Sequence, residues 1–199
     1  MQRQVGYSEQ YEEALRVATV AHRRQTRKGS GLPYIIHPFH VSVILMRHGF
    51  SKHAVIAGLL HDVVEDQGLS IVQIEELSGV RVAEIVEAMS ERKKDSEGVR
   101  RPWDVRKREA LDQIRAASDD AVAVKAADTV HNARSFVQDL RQEGVEIWQH
   151  FNRGPRAQLD YYCEIRGIVE DRLGAHPLVA ELADAVEALA GVIGETPIG

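Results

Sequence analysis

Apolar positions recur at helical spacing along most of the chain, and no segment sustains the period-two alternation of a half-buried strand. Ser8 is placed to cap a first helix running to about Lys28, with Tyr11, Ala14, Leu15, Ala18 and Ala21 on its apolar stripe. Gly29, Ser30, Gly31 and Pro33 then predict a loop. Pro38 suits the first turn of a helix to His48 that Gly49 ends, and Ser51 is placed to cap the next, through Asp66. Ser70 with Gln73 forms a capping box for a short helix to Leu77, and Val82–Met89 continues helically. After a polar loop from Ser90 to Pro102, Asp104 opens another helix. A long one starts at Asp119 or Asp120 and reaches Leu140. Pro155 and Pro177 each begin a helix, and the tail from Glu195 is expected to fray. The pattern predicts an all-α bundle of roughly eight to ten helices, in one domain over residues 1–199.

At 199 residues the chain is long enough for one domain with a substantial core. No apolar run approaches the roughly 20 residues of a membrane span, and Met1–Gln10 lacks the apolar segment of a secretory signal. The single cysteine, Cys163, permits no internal disulfide and reads as a buried helix residue. These features predict a cytoplasmic protein with no membrane partner. The net charge of −5 argues against a general nucleic-acid binder, yet the positive charges cluster. One group is Arg23, Arg24, Arg27 and Lys28; another gathers Arg92, Lys93, Lys94, Arg100, Arg101, Arg106, Lys107 and Arg108. Basic clusters on an acidic chain suit a small, highly phosphorylated ligand, and they equally suit solvated helix ends.

The densest chemistry is His61-Asp62-Val63-Val64-Glu65-Asp66, which sets one imidazole and three carboxylates within six residues. On a continuous helix at roughly 100° per residue, with His61 at zero, Glu65 falls at about 40°, Asp62 at about 100° and Asp66 at about 140°. Ile56, Ala57, Leu60, Val63 and Val64 fill the opposite side. So much charge on one face is costly unless a cation or solvent compensates it. His37, just before Pro38, and Asp128, in Lys125-Ala-Ala-Asp-Thr-Val-His-Asn132, complete a set of two histidines and two carboxylates with His61 and Asp62. Nitrogen and oxygen donors without thiolate suit Mn²⁺, Fe²⁺ or a catalytic Zn²⁺. Glu65, one turn from His61, is placed to take a proton from water, and Asp66 to do the same or to orient a ligand imidazole.

In order along the chain, Ala21-His22, Gln25, Arg27-Lys28, Gly31, Pro33-Tyr34-Ile35, His37-Pro38, Leu59 to Asp66, Lys125, Ala127-Asp128 and His131-Asn132 form a collinear motif set. The chain thereby resembles the HD-domain phosphohydrolases, and more narrowly the hydrolase domain of RelA/SpoT-type alarmone enzymes and their small stand-alone relatives. The match runs over about residues 10–140, with only a vague echo around Arg156 to Tyr162 in the helical C-terminal part. The resemblance implies that His37, His61, Asp62 and Asp128 bind a Mn²⁺-like ion. It implies that Glu65 and Asp66 orient and deprotonate the attacking water, that Arg27 and Lys28 approach the phosphates, and that Asn132 lines the nucleoside pocket. The implied reaction removes pyrophosphate from the 3′ position of (p)ppGpp, leaving GDP or GTP. With no room at this length for a synthetase domain, the chain is expected only to degrade the signal.

Departures from the family pattern leave the base open. Gln67 stands where Thr is usual, one extra residue separates Lys28 from Pro33, and Ala126 and Thr129 replace Leu and a basic residue. Alternative readings keep the fold and metal but take adenine analogues such as (p)ppApp, NADPH or another phosphorylated nucleotide, or make the protein a non-catalytic nucleotide sensor. His22, His40, His48, His53, His131, His150 and His176 are expected to play no catalytic part. Trp148, Phe151, Tyr161 and Tyr162 read as core, with Tyr161 or Tyr162 also able to close a pocket. The loop Ser90–Pro102 is expected to close over substrate, with Arg100 and Arg101 reaching 5′ phosphates.

Overall fold

The computed structural model describes residues 8–144, 149 and 153–195; the tail beyond 195 and Trp148, His150 and Phe151 lie outside them. The described residues form ten helices and no strand: α1 Glu9–Ala21, α2 Ile36–Arg47, α3 Lys52–Leu60, α4 Val63–Gln67, α5 Ile71–Ser78, α6 Val80–Met89, α7 Trp103–Ala116, α8 Asp119–Glu143, α9 Pro155–Leu173 and α10 Pro177–Glu195. Several caps form as the sequence predicts. The Ser8 and Ser51 hydroxyls accept from Tyr11 and Ala54 N–H, and both halves of the Ser70–Gln73 capping box are made. On α8 the cap is Ser118, which places Asp119 and Asp120 in the first turn, where acids suit the helix dipole.

Two departures shape the site. First, α1 stops at Ala21 rather than Lys28, because residues 22–28 carry no apolar stripe to bury. The segment instead folds back on itself: Arg27 N–H donates to Leu32 O at 2.8 Å and Tyr34 N–H to Gln25 O at 2.9 Å. Gly29 and Gly31, at φ 83° and 66°, allow that reversal. Arg27 and Lys28 therefore sit on a hairpin and not at a helix end. Second, the helix expected through Asp66 breaks at His61-Asp62 into α3 and the one-turn α4, which Gly68 ends at φ 77°. The break replaces the single polar face expected of a continuous helix.

The long α8 is the hub, packing against α2, α3, α6, α7, α9 and α10. One core cluster runs from Ala14 and Ala18 on α1, through Leu59, Leu60 and Val124, to Leu189 and Ile193 on α10. No helix among the described residues is long and apolar enough to cross a membrane. Cys163 is exposed, contrary to expectation, because it falls off the stripe of Tyr161, Tyr162 and Ile165 that faces the core.

Helices α2 and α3 pack tightly at Gly58, where an added Cβ would lie 2.8 Å from Leu45 Cδ1, 3.3 Å from Val41 Cγ1 and 3.4 Å from Ser42 Cα. Leu45 and Val41 are fully buried and have no free space to retreat into. Gly58→Ala gains about 1 kcal/mol of helix propensity and loses about 1–3 kcal/mol to overpacking. Chemical denaturation is expected to find the variant less stable by about 1 kcal/mol; equal or greater stability would contradict this packing.

Candidate active site

Three segments far apart in sequence meet beside α8. His37 is in the first turn of α2, His61 and Asp62 form the α3–α4 break, and Asp128 is mid-way along α8. His37, His61 and Asp128 are buried, with ligand atoms all within 4.8 Å of one another. His37 Nε2 lies 3.2 Å from Asp128 Oδ1, and His61 Nε2 lies 3.1 Å from Asp62 Oδ2 and 3.9 Å from Asp128 Oδ1. Asp62 also lies 3.5 Å from His37 Nε2 and accepts the Tyr34 O–H at 2.7 Å.

The hydrogen bonds around the imidazoles determine which nitrogen faces the acids. His61 Nδ1 lies 2.9 Å from Gly58 O, a pure acceptor, so the proton resides on Nδ1. In the neutral ring Nε2 then presents a lone pair toward two carboxylates, and it is a buried nitrogen with no hydrogen-bond partner. Two lone-pair acceptors facing one another in a buried site call for a cation between them. His37 Nδ1 contacts His131 Nδ1 at 2.9 Å, and His131 Nε2 contacts His40 Nδ1 at 3.1 Å. Burial, followed by the charges of His37 and Arg27, pushes the His131 pKa down to about 2, so His131 is neutral and has one acceptor nitrogen. It can accept from His37 at Nδ1 and donate to His40 from Nε2, which turns His37 Nε2 toward the acids.

The carboxylates are held as anions. Burial opposes ionisation of Asp62, but His61 lowers its pKa below the ordinary range. For Asp128 burial is likewise overcome, chiefly by Lys125, whose Nζ is 3.0 Å from Oδ2. Asn132 donates to Asp128 Oδ1 at 2.6 Å and accepts from Arg27 at 2.9 Å, tying the hairpin to α8. A divalent cation fits this donor set of two imidazoles and two carboxylates, with no thiolate near it.

Glu65 and Asp66 point into an adjoining cavity of about 380 Å³, which Arg27, Lys28, Lys93 and Asn132 also line. Glu65 Oε2 accepts the Glu91 N–H at 3.0 Å and Oε1 lies 2.9 Å from Lys93 Nζ, which also pairs with Asp66. Burial, then the charge of Asp62, raises the Glu65 pKa against the pull of Lys93. Gln25 donates to Asp66 Oδ2 at 2.8 Å and accepts from Gln67, while His22 Nδ1 lies 2.7 Å from Gln25 Oε1. The loop from Ser90 to Pro102 thus reaches the site through Glu91 and Lys93. Arg101, expected there, is turned away onto Glu109 at 2.7 Å and the Arg92 carbonyl, and Arg100 is exposed.

Apart from Arg100 and Arg101, the residues predicted from the sequence for the site lie at the acid–imidazole cluster or along the cavity. Sequence reasoning missed Tyr34, which holds Asp62; Lys93 and Glu91, which hold Glu65; and His131, which touches His37. Tyr34 and His131 lie inside quoted motifs, a signal that was available. Nothing local marks Lys93 among its basic neighbours.

The HD-domain sequence pattern matches residues 14–156, and the chain belongs to the HD-domain family. Within it, the chain is 34% identical over 174 residues to the bifunctional (p)ppGpp synthase/hydrolase SpoT of Escherichia coli (strain K12), a stretch covering 86% of this chain and 23% of that protein. It therefore spans about a quarter or less of the length of the curated relatives it matches. Among solved structures it is similar to a metazoan SpoT ortholog described as hydrolysing ppGpp, with TM-score 0.70, 26% identity, and 92% of this chain and 97% of that one covered. A Listeria monocytogenes EGD-e protein matches with TM-score 0.66 and 32% identity over 76% of this chain and 96% of that one.

Without the cation a proton takes its place. Burial lowers the His61 pKa, but Asp62 and Asp128 outweigh it and push the value up from 6.5 to about 9. That charge stabilises the metal-free fold fully below pH 6.5, and its contribution is lost as pH rises through about 9. Metal binding must displace the same proton. Divalent-metal affinity, measured by competition with a chelator, is expected to rise by up to about tenfold per pH unit between pH 6.5 and 9. A flat profile would contradict the assignment of His61 as a ligand.

Proposed function

We propose that this chain is a divalent-metal-dependent hydrolase that removes the 3′-pyrophosphate of (p)ppGpp, giving GDP or GTP and pyrophosphate. The observation that carries this reading is the buried, unpartnered His61 Nε2 among His37, Asp62 and Asp128, opening on a cavity that Arg27, Lys28 and Lys93 line together with Glu65 and Asp66. The activities of the relatives support it, and the cavity volume of about 380 Å³ is in the range of small-ligand sites.

His37, His61, Asp62 and Asp128 would hold the cation, and their donor types favour Mn²⁺, with Fe²⁺ or Zn²⁺ as substitutes. A bound divalent cation acidifies water and neutralises a phosphoryl oxygen. Glu65, with its raised pKa, accepts a proton from the attacking water at its carboxylate, and the charge of Lys93 opposes that rise. Asp66, anchored by Gln25, orients the same water. The water oxygen bonds to the 3′ phosphorus, the bond from phosphorus to O3′ breaks, and O3′ takes a proton as pyrophosphate leaves. Arg27 and Lys28 draw the phosphates in, and Asn132 positions both Asp128 and Arg27 beside the nucleoside. Residues 1–199 act as one domain, with a cytoplasmic location and no nucleic-acid or membrane partner.

Product analysis of ppGpp with Mn²⁺ and with EDTA tests the reaction. Pyrophosphate and GDP are expected only with metal. Glu65→Ala is expected to retain metal while kcat falls by about 10²–10⁴-fold. Metal-independent release, or full turnover by that variant, would contradict the mechanism.

A further inference from the structure

One acid in the cavity has no part in the chemistry described so far. Asp139, on α8, is only 9% exposed, lines the cavity, and among the described residues accepts no hydrogen bond and forms no ion pair. Arg27, Lys28 and Lys93 line the cavity together with Asp62, Glu65, Asp66 and Asp139, and of these four acids only Asp139 makes no contact with a protein partner among the described residues; its oxygens open to the cavity, where a carboxylate is poorly suited to a phosphate. Burial raises its pKa, Arg27 opposes the rise and Glu143, one turn on, adds to it. None of the donors lining the cavity bonds this acid, so a ligand entering there can supply them.

Its position on the helix says which part of a ligand it meets. Asp128, Asn132, Ser135 and Asp139 follow at i, i+4, i+7 and i+11 and form one stripe along α8. Asp139 therefore lies roughly 16 Å along the axis from the candidate metal ligand Asp128. That separation suits the extended length of a nucleoside carrying 3′ phosphates, with the phosphates at the metal end and the base at Asp139. Beside it Phe136 and Tyr162 give the cavity an apolar wall, with ring centroids 6.5 Å apart. An aromatic wall with one acceptor-only carboxylate fits a planar heterocycle that bears adjacent N–H donors.

We propose that Asp139 is a specificity-determining residue that reads the base of the nucleotide, accepting from the N1–H and N2–H of guanine. This rests on the reading of the cavity as a nucleotide site and deepens it by choosing the base. Adenine offers a single N6–H donor there, beside an N1 lone pair that a carboxylate repels. Hypoxanthine keeps N1–H and lacks the N2 amine, so it ranks between the two. A carboxamide complements adenine, donating to N1 and accepting from N6–H.

The test measures equilibrium binding of ppGpp, ppIpp (the hypoxanthine analogue) and ppApp in EDTA, where turnover is blocked. Wild type, Asp139→Asn and Asp139→Leu are compared, with pyrophosphate release measured separately with Mn²⁺. Wild type is expected to bind ppGpp over ppApp by about tenfold or more, with ppIpp between. Asp139→Asn is expected to shift that ratio toward ppApp and Asp139→Leu to flatten it, both with unfolding temperatures kept or raised. An unchanged ppGpp:ppApp ratio in both variants overturns the proposal. So does an equal loss for all three ligands, the signature of a ribose contact, or a fall in unfolding temperature that marks a structural acid. If wild type binds none of the three, the base assignment falls too. Binding in the expected order without pyrophosphate release overturns the hydrolase reading alone and leaves Asp139 as the base reader.

Discussion

The site depends on unbalanced negative charge buried beside α8. Asp62 and Asp128 stay ionised there because Lys125, Asn132, Tyr34 and the two imidazoles hold them. Those partners do not complete the cluster, because the Gly58 carbonyl fixes the His61 proton on Nδ1 and leaves Nε2 as a buried lone pair. A cation, or failing that a proton, satisfies it. The break between α3 and α4 is the backbone counterpart of this requirement. It separates His61 and Asp62, which face the cluster, from Glu65 and Asp66, which face the cavity.

Around that centre the fold provides rigidity in layers. The hub helix α8 carries Asp128 and Asn132 among fully buried residues such as Val124, Ala127 and Val130, so neither can shift without disturbing the core. The hairpin at 25–34 is docked through Arg27 to Asn132 and through Tyr34 to Asp62. From the other side, Glu91 is buried between Arg106 and Lys107 of α7, and its N–H fixes Glu65. Glu65, Asp66 and Arg27 are thus each positioned by a partner from another segment of the chain.

Local patterns foretold most helices, because a serine cap, a proline at the first turn or a glycine at the end acts within a few residues. The candidate ligands were legible too, since His61, Asp62, Glu65 and Asp66 are contiguous and His37 and Asp128 stand in ordered motifs. Features set by distant packing were not legible. The early end of α1 depends on the hairpin that Arg27 and Tyr34 make, and Lys93 reaches Glu65 across 28 positions. Arg101 was misjudged because its partner, Glu109, lies on the next helix. Asp139 gave no signal at all, because an acid on a polar helix face looks ordinary until burial and the absence of a partner are visible.

The most direct test of this account is pulsed electron paramagnetic resonance of Mn²⁺ bound to the purified protein, read for nitrogen coupling from ligand imidazoles. The account predicts one bound Mn²⁺ coupled to two imidazole nitrogens, with one coupling lost in His37→Ala and one in His61→Ala. Bound Mn²⁺ without imidazole coupling, or coupling unchanged in both variants, would contradict it.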